Sequence, residues 1–127
     1  GREKAPAAIC RKVITSNDSI EIWGDGMQTR SFLFIDECIE ATRKLMLSNF
    51  TGPVNIGSEE MVNIDTLVDI ACQIENKELI KNHINGPTGV RGRNSNNDLI
   101  IEKLNWNYSM SLKDGIKKTY EWIKSQV

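Results

Sequence analysis

The spacing of apolar residues in this chain changes repeatedly between the period of a strand and the period of a helix. Ile20 to Trp23 alternates as a strand does, whereas Ile35 to Leu47 carries its apolar residues at helical spacing. Short strands separated by helices fit neither a helical bundle nor an all-β sandwich. The sequence therefore predicts a small, mixed, helix-rich α/β lobe, without a full doubly wound sheet.

Start signals place the remaining elements. Pro6 suits the first turn of a helix, and Asn63 can cap another helix through its side-chain oxygen. Ser111 begins a capping-box-like sequence for a last helix. Short strands are expected at Pro53 to Gly57 and at Ile80 to Ile84.

The composition excludes several classes of function. The 127 residues suit one domain, and 16 basic against 17 acidic residues give a formal net charge of -1. No basic field is therefore available to attract nucleic acid or a membrane surface, and no apolar run is long enough to span a membrane. Cys10, Cys38 and Cys72 lack metal-ligand spacing, so no metal site is expected. We expect reduced thiols in a cytoplasmic protein.

Two segments rich in glycine and small polar residues each carry an arginine. Arg30 follows a Gly-Asp-Gly turn, and Arg93 lies in the loop of residues 91–98. Each guanidinium offers parallel N–H donors, so two of them converging from separate loops suit a diphosphate. In the alternative interpretation Arg30 pairs with an acid such as Asp36, and Arg93 is solvated. Gln28 and Thr29 can hydrogen-bond to sugar or phosphate, although a turn of this composition needs no ligand.

Lys4 lies at or just before the start of the first predicted helix. The positive end of the helix dipole disfavours the ammonium form of a lysine there, which would prepare the amine for general acid–base catalysis. The alternative is an ordinary surface lysine, partly neutralised by Glu3. Lys12 is similarly open to both interpretations.

Six segments of this sequence occur in the same order in a known family. They are residues 1–8 (GREKAPAA), 23–26 (WGDG), 28–32 (QTRSF), 34–38 (FIDEC), 55–58 (NIGS) and 89–95 (GVRGRNS). Over nearly its whole length the chain closely resembles the C-terminal part of the GDP-mannose 3,5-epimerase family. That family belongs to the extended short-chain dehydrogenases/reductases, within the NAD-dependent epimerases/dehydratases. Residues 2–6 and 90–95 are the specific matches, whereas the WGDG and NIGS segments occur across the superfamily.

The resemblance implies a reaction on GDP-mannose. Bound NAD oxidises C4 of the mannosyl ring to a ketone, which acidifies the hydrogens on C3 and C5, and an acid/base pair then inverts those centres. Lys4 matches one member of that pair. The positions that match substrate contacts are Glu3, Lys4, Ala5, Lys12, Gln28, Thr29, Arg30 and Arg93, with the two arginines suited to the diphosphate.

The resemblance also implies that the chain is one part of an enzyme. Residues 1–127 would form the C-terminal substrate-binding lobe, and the N-terminal NAD-binding domain with its Rossmann sheet would be absent. We expect the lobe to be inactive alone and to associate with the missing cofactor domain or with its own copies. Residues 105–108 depart from the family pattern and leave the sugar open. The alternatives are a lobe that takes another nucleotide sugar, or a truncated non-catalytic binding or oligomerisation module.

Overall fold

A computed structural model describes residues 3–127, so the first two residues of the amino-terminal motif lie outside the described residues. The described chain has five helices and four short strands, which confirms the predicted mixed α/β class. In chain order the elements are α1 (Ala7–Thr15), β1 (Ser19–Trp23), β2 (Thr29–Ser31), α2 (Ile35–Leu47), β3 (Met61–Asn63), α3 (Ile64–Ile74), β4 (Ile80–Ile84), α4 (Asp98–Leu104) and α5 (Leu112–Lys124).

The strands of the described residues form two separate pairs. β1 runs parallel to β4, with Ser19 opposite Ile80. β2 runs antiparallel to β3, with Thr29 opposite Asn63. A further parallel bridge joins Thr29 to Gly92, so the loop that carries Arg93 is attached to β2.

Local chemistry explains where two of the helices begin. The Asn63 side chain accepts a hydrogen bond from the Thr66 backbone N–H at 2.7 Å and caps α3 as predicted. Ser111 Oγ accepts from the Asp114 N–H at 3.2 Å and caps α5. Both caps satisfy backbone donors that the first turn of a helix leaves unpaired.

The main hydrophobic core lies between α1, α3, α5 and the β1–β4 pair. Leu67 and Val68 of α3 are fully buried, and Tyr120 contributes the largest fully buried side chain from α5. A smaller cluster forms beside α2 and α4 around Ala41, Ile100 and Trp106. The lobe is therefore stabilised mainly at the end of the molecule that contains α3 and α5.

The segment from Pro53 to Gly57 is not a strand, contrary to the prediction. It connects α2 to β3 without regular structure. An isolated extended segment gains no ladder hydrogen bonds, and among residues 3–127 no strand pairs with this segment. No helix of the described residues is long and apolar enough to cross a membrane.

Candidate functional site

A polar cleft of about 340 Å³ opens where β2, residues 55–58 and the loop of residues 93–95 meet. Arg30 enters it from β2, and Arg93 enters it from the loop. Asn55, Ser58 and Ser95 add hydroxyl and amide groups to the walls. The two arginines that the sequence singled out thus lie in the same cleft, although they are far apart in the chain.

The guanidinium of Arg30 is held by backbone carbonyls. Its Nη1 donates to the Thr29 carbonyl at 2.6 Å, and its Nη2 donates to the Thr88 carbonyl at 3.1 Å. Gly89 has a φ of +70°, and a Cβ there would lie 3.4 Å from Arg30 Nη2. These bonds fix the group without neutralising its charge. The ion pair with Asp36, which was the alternative interpretation, is not formed. A fixed, charged guanidinium is suited to bind an anion.

The Arg93 loop is attached to β2 by backbone hydrogen bonds. The Arg93 N–H donates to the Thr29 carbonyl at 3.2 Å, and the Thr29 N–H donates to the Arg91 carbonyl at 2.9 Å. A Cβ on Gly92 would lie 2.9 Å from Thr29 Oγ1, so a side chain there would crowd this contact. The backbone of Thr29 therefore places Arg93 next to Arg30.

Arg91 belongs to a different interaction. Its Nη1 contacts both carboxylate oxygens of Asp25, at 2.8 and 2.7 Å. The Met27 N–H donates to the same carboxylate, and this bond, followed by that from Arg91, lowers the pKa of Asp25. Arg91 and Asp25 are both exposed, and Arg91 does not line the cleft. This ion pair joins the loop to the Gly-Asp-Gly turn.

Gln28 and Lys12 contact β1 and do not line the cleft. Gln28 is buried, and its Nε2 donates to the Trp23 carbonyl at 3.0 Å, while its Oε1 has no hydrogen-bond partner among the described residues. Lys12 Nζ donates to the Glu21 carbonyl at 2.9 Å and lies 5.8 Å from the centre of the Trp23 ring. Their roles as substrate contacts remain predictions.

The amino-terminal segment lies immediately before α1, as the sequence predicted. Lys4 is exposed, and its carbonyl accepts from the Ala8 N–H at 3.0 Å. Glu3 forms an ion pair with Arg11 at 2.7 Å, and Ala5 packs against the main core. None of Glu3, Lys4 and Ala5 lines the polar cleft. The catalytic role of Lys4 therefore remains a prediction.

Two polar residues at the cleft were not predicted from the sequence. They are Ser58, which lines the cleft, and Asn97, which is bonded to its walls. Ser58 is buried and lines the cleft, and Asn97 is fully buried near the end of the Arg93 loop. Polar residues in irregular segments show no periodicity, so no sequence signal distinguishes a buried asparagine from its exposed neighbours.

The described residues do not fit a bound dinucleotide. A dinucleotide site needs a strand that passes through a glycine-rich turn directly into a helix. In residues 3–127, Gly24 and Gly26 lie between two strands instead, and α3 follows β3 without a glycine. We therefore assign no NAD contact to this part of the chain.

The chain is similar to solved structures of sugar-nucleotide epimerases. The chain aligns with UDP-glucuronic acid 4-epimerase from Bacillus cereus, solved in complex with UDP-glucuronic acid and NAD, with a TM-score of 0.85 and 26% identity. The alignment covers 99% of this chain and 42% of that structure. The lobe thus has the architecture of one part of a sugar-nucleotide epimerase of the short-chain dehydrogenase/reductase type.

Among curated relatives, the chain is similar in sequence to GDP-mannose 3,5-epimerases. The chain is 59% identical over all 127 residues to GDP-mannose 3,5-epimerase 1 from Oryza sativa subsp. indica, and 58% identical to GDP-mannose 3,5-epimerase from Arabidopsis thaliana. It spans about a third of their length, 34% in each case. No protein-family model matches the chain. In sequence, the chain corresponds to the C-terminal portion of this short-chain dehydrogenase/reductase-type epimerase.

Proposed function

We propose that this chain is the substrate-binding lobe of an epimerase that acts on GDP-mannose, and that Arg30 and Arg93 bind the diphosphate of the substrate. The presence of both guanidinium groups in one polar cleft carries the proposal. Arg30 is already oriented by two carbonyls, so little side-chain freedom is lost when an anion binds. The identity of 59% to a GDP-mannose 3,5-epimerase supports the choice of nucleotide sugar.

Within this proposal Lys4 transfers a proton at C3 or C5 of the sugar ring. Its ammonium form can donate the proton and its free amine can accept one, as epimerisation requires. The Glu3–Arg11 ion pair and the packing of Ala5 hold the backbone on either side of Lys4. The remaining proposed substrate contacts are Glu3, Ala5, Lys12, Gln28 and Thr29. Hydride transfer at C4 would be supplied by NAD bound to another domain, so no hydride step is assigned to this lobe.

The exposed face of α2 supports the need for a second domain. Ile35, Ile39 and Met46 lie on one side of this helix and are 60%, 58% and 78% exposed. The opposite side buries Glu37 and Ala41. An exposed apolar stripe of this kind is typical of a surface covered by another protein domain. About two thirds of the length of the curated relatives lies outside the part that this chain matches. We propose that an NAD-binding domain in such additional polypeptide covers α2. The isolated chain is then inactive.

Calorimetric titration of GDP-mannose into the purified chain at low salt tests the diphosphate site. We expect Arg30→Ala and Arg93→Ala each to weaken binding about tenfold or more, because each removes charge-assisted hydrogen bonds. Arg91→Ala is the matched control, since it removes the same charge from the same loop outside the cleft. Equal weakening by all three substitutions, or no binding by the parent chain, would contradict a diphosphate site within this lobe.

Two alternatives remain to be separated. The solved relative holds UDP-glucuronic acid, so competition between GDP-mannose, UDP-glucose and dTDP-glucose would show whether the lobe takes a different nucleotide sugar. A non-catalytic module is the second alternative. It would be favoured if the lobe bound none of these nucleotide sugars and also remained inactive after addition of a cofactor domain.

We also propose that the protein is cytoplasmic, which the three unpaired thiols support.

A further inference from the structure

A fully buried asparagine forms hydrogen bonds to both walls of the polar cleft. Asn97 Nδ2 donates to the Gly57 carbonyl at 2.8 Å and to Asn107 Oδ1 at 3.2 Å. Its Oδ1 accepts from Ser95 Oγ at 2.8 Å. Gly57 belongs to one cleft wall, and Ser95 belongs to the loop that carries Arg93. One side chain therefore joins both walls.

Every polar group of Asn97 has a partner. Its backbone N–H donates to Glu59 Oε1 at 2.8 Å, and its carbonyl accepts from the Ile101 N–H at 3.1 Å. Both hydrogens of the side-chain amide and its oxygen are used as well. Buried polar networks in which every group is bonded hold their members rigidly, because breaking one bond leaves an unsatisfied group away from water.

Helix capping does not account for this residue. Asn97 occupies the N-cap position of α4, where an asparagine usually accepts from a backbone N–H of the first turn. Its side chain makes no such bond. The Asp98 N–H is instead bonded to Asn96 Oδ1 at 2.9 Å. The amide of Asn97 is thus committed to the cleft walls.

We propose that Asn97 is a positioning residue that sets the separation between the Gly57 wall and the Arg93 loop. The walls already touch, because a Cβ on Gly57 would lie 2.6 Å from the Ser95 Cβ. The Asn97 bonds hold the two walls at that approach, and together with the bond from the Arg93 N–H to the Thr29 carbonyl they fix Arg93 relative to Arg30. The consequence for ligand affinity rests on the proposed function, whereas the consequence for loop order does not.

Two substitutions that add the same negative charge distinguish a positioning role of Asn97 from a general effect of that charge on stability. Asn97→Asp keeps the oxygen that accepts from Ser95 but removes both N–H donors. Asn107→Asp also adds one negative charge, yet it keeps an oxygen that can accept from Asn97. Hydrogen–deuterium exchange of the folded variants is the first measurement. We expect Asn97→Asp to speed exchange at the Arg93 N–H about tenfold, because that amide is protected only through its bond to β2.

Exchange in β1 should remain as in the parent chain, and Asn107→Asp should leave both regions unchanged. Uniformly faster exchange in Asn97→Asp would show a general loss of stability and would overturn the proposal, as would unchanged exchange at Arg93. Should Asn97→Asp fail to fold, Asn107→Ala serves instead, because it removes one acceptor at an exposed position. It should speed exchange at Arg93 by a few fold, and an unchanged rate would overturn the proposal.

Calorimetry with GDP-mannose is the second measurement. We expect Asn97→Asp to weaken binding about tenfold while Asn107→Asp binds within about twofold of the parent chain, as the loss of positioned charge-assisted contacts predicts. Equal weakening by both would mean that the added charge alone is responsible. A parent chain that does not bind would contradict the proposed function, and the exchange result would still decide the role of Asn97.

Discussion

Helices α3 and α2 have similar lengths, but α3 buries its apolar face whereas α2 exposes its own. α3 buries six residues in the main core, including Leu67 and Val68. α2 buries only Glu37 and Ala41 and presents Ile39 and Met46 to solvent. Burial of apolar surface is the main force that stabilises a fold. The comparison teaches that α3 belongs to the core of this lobe, whereas α2 leaves most of its apolar residues at the surface.

A buried carboxylate holds α2 in place in addition to the small apolar cluster around Ala41. Glu37 Oε1 accepts from the Ser109 N–H at 2.6 Å, the Ser109 hydroxyl at 2.7 Å and the Met110 N–H at 2.9 Å. Burial raises the pKa of Glu37, but these three hydrogen bonds outweigh burial and lower it overall. The charged form is therefore the one that joins α2 to the start of α5.

The largest expected effect is on the α3 side. Leu67→Ala should lower the free energy of unfolding by about 2–5 kcal/mol, because it removes buried methyl groups and leaves a cavity. Met46→Ala on α2 is the matched control and should change it by less than about 0.5 kcal/mol. Urea unfolding followed by circular dichroism measures both. Comparable losses in the two variants would contradict the difference between the helices.

Thiol reactivity should separate the two regions next. Cys38 on α2 is half-buried, whereas Cys10 and Cys72 are buried in the main core. Burial raises the pKa of Cys10 to about 11 and also raises the pKa of Cys72. With a disulfide reagent at pH 8, we expect Cys38 to react about 100-fold faster than the others, which need local opening. Cys38→Ser should remove the fast phase of the reaction with the reagent. Loss of that fast phase in Cys10→Ser would contradict the prediction.

Glu37→Gln tests the polar attachment of α2. We expect a loss of about 1–1.5 kcal/mol near neutral pH, because a neutral amide accepts these hydrogen bonds less strongly than a carboxylate. The folded pKa of Glu37 lies below its ordinary value, so its stabilising effect is present above about pH 4.3 and disappears as the pH falls through the folded pKa. Urea unfolding from pH 7 to pH 3 should show the two proteins converging. A constant difference across this range would exclude the charge as the cause.

The smallest effect on stability is expected on the exposed face of α2. Ile39→Lys should change the free energy of unfolding by less than about 0.5 kcal/mol, because the side chain is exposed. It should nevertheless reduce self-association of the isolated lobe at high concentration, which sedimentation velocity measures. Glu40→Lys on the same helix is the control for added charge. If Glu40→Lys reduced self-association and Ile39→Lys did not, the self-association surface would not include Ile39.

Most of the fold was predictable because its signals are local. The helical spacing from Ile35 to Leu47 gave the bounds of α2, and the cap residues Asn63 and Ser111 gave the starts of α3 and α5. The segment from Pro53 to Gly57 was predicted wrongly as a strand. Its apolar alternation indicates an extended conformation, but a strand also requires a neighbour, and pairing is a property of the whole fold.

The charged residues of the candidate site could be predicted from the sequence, but the buried polar residues near them could not. Two arginines among glycines indicated phosphate binding, and Arg30 and Arg93 do line one cleft. That Gln28 is buried and that Lys12 contacts β1 could not be foreseen, because both depend on hydrogen bonds to the backbone of β1 that form only in the folded chain. Asn97 was equally invisible, since only its burial distinguishes it from Asn96.

The parallel pairing of β1 with β4 also governs how quickly the lobe can assemble. Ser19 finds its partner Ile80 about sixty positions later in the chain, so the pair forms only after a long loop has closed. Contacts between distant positions slow folding, because the entropy of closure is lost before the contacts are gained. The loop that carries Arg93 follows β4 after residues 85–90. We therefore expect the polar cleft to be among the last features to form during refolding, after the helices that surround it.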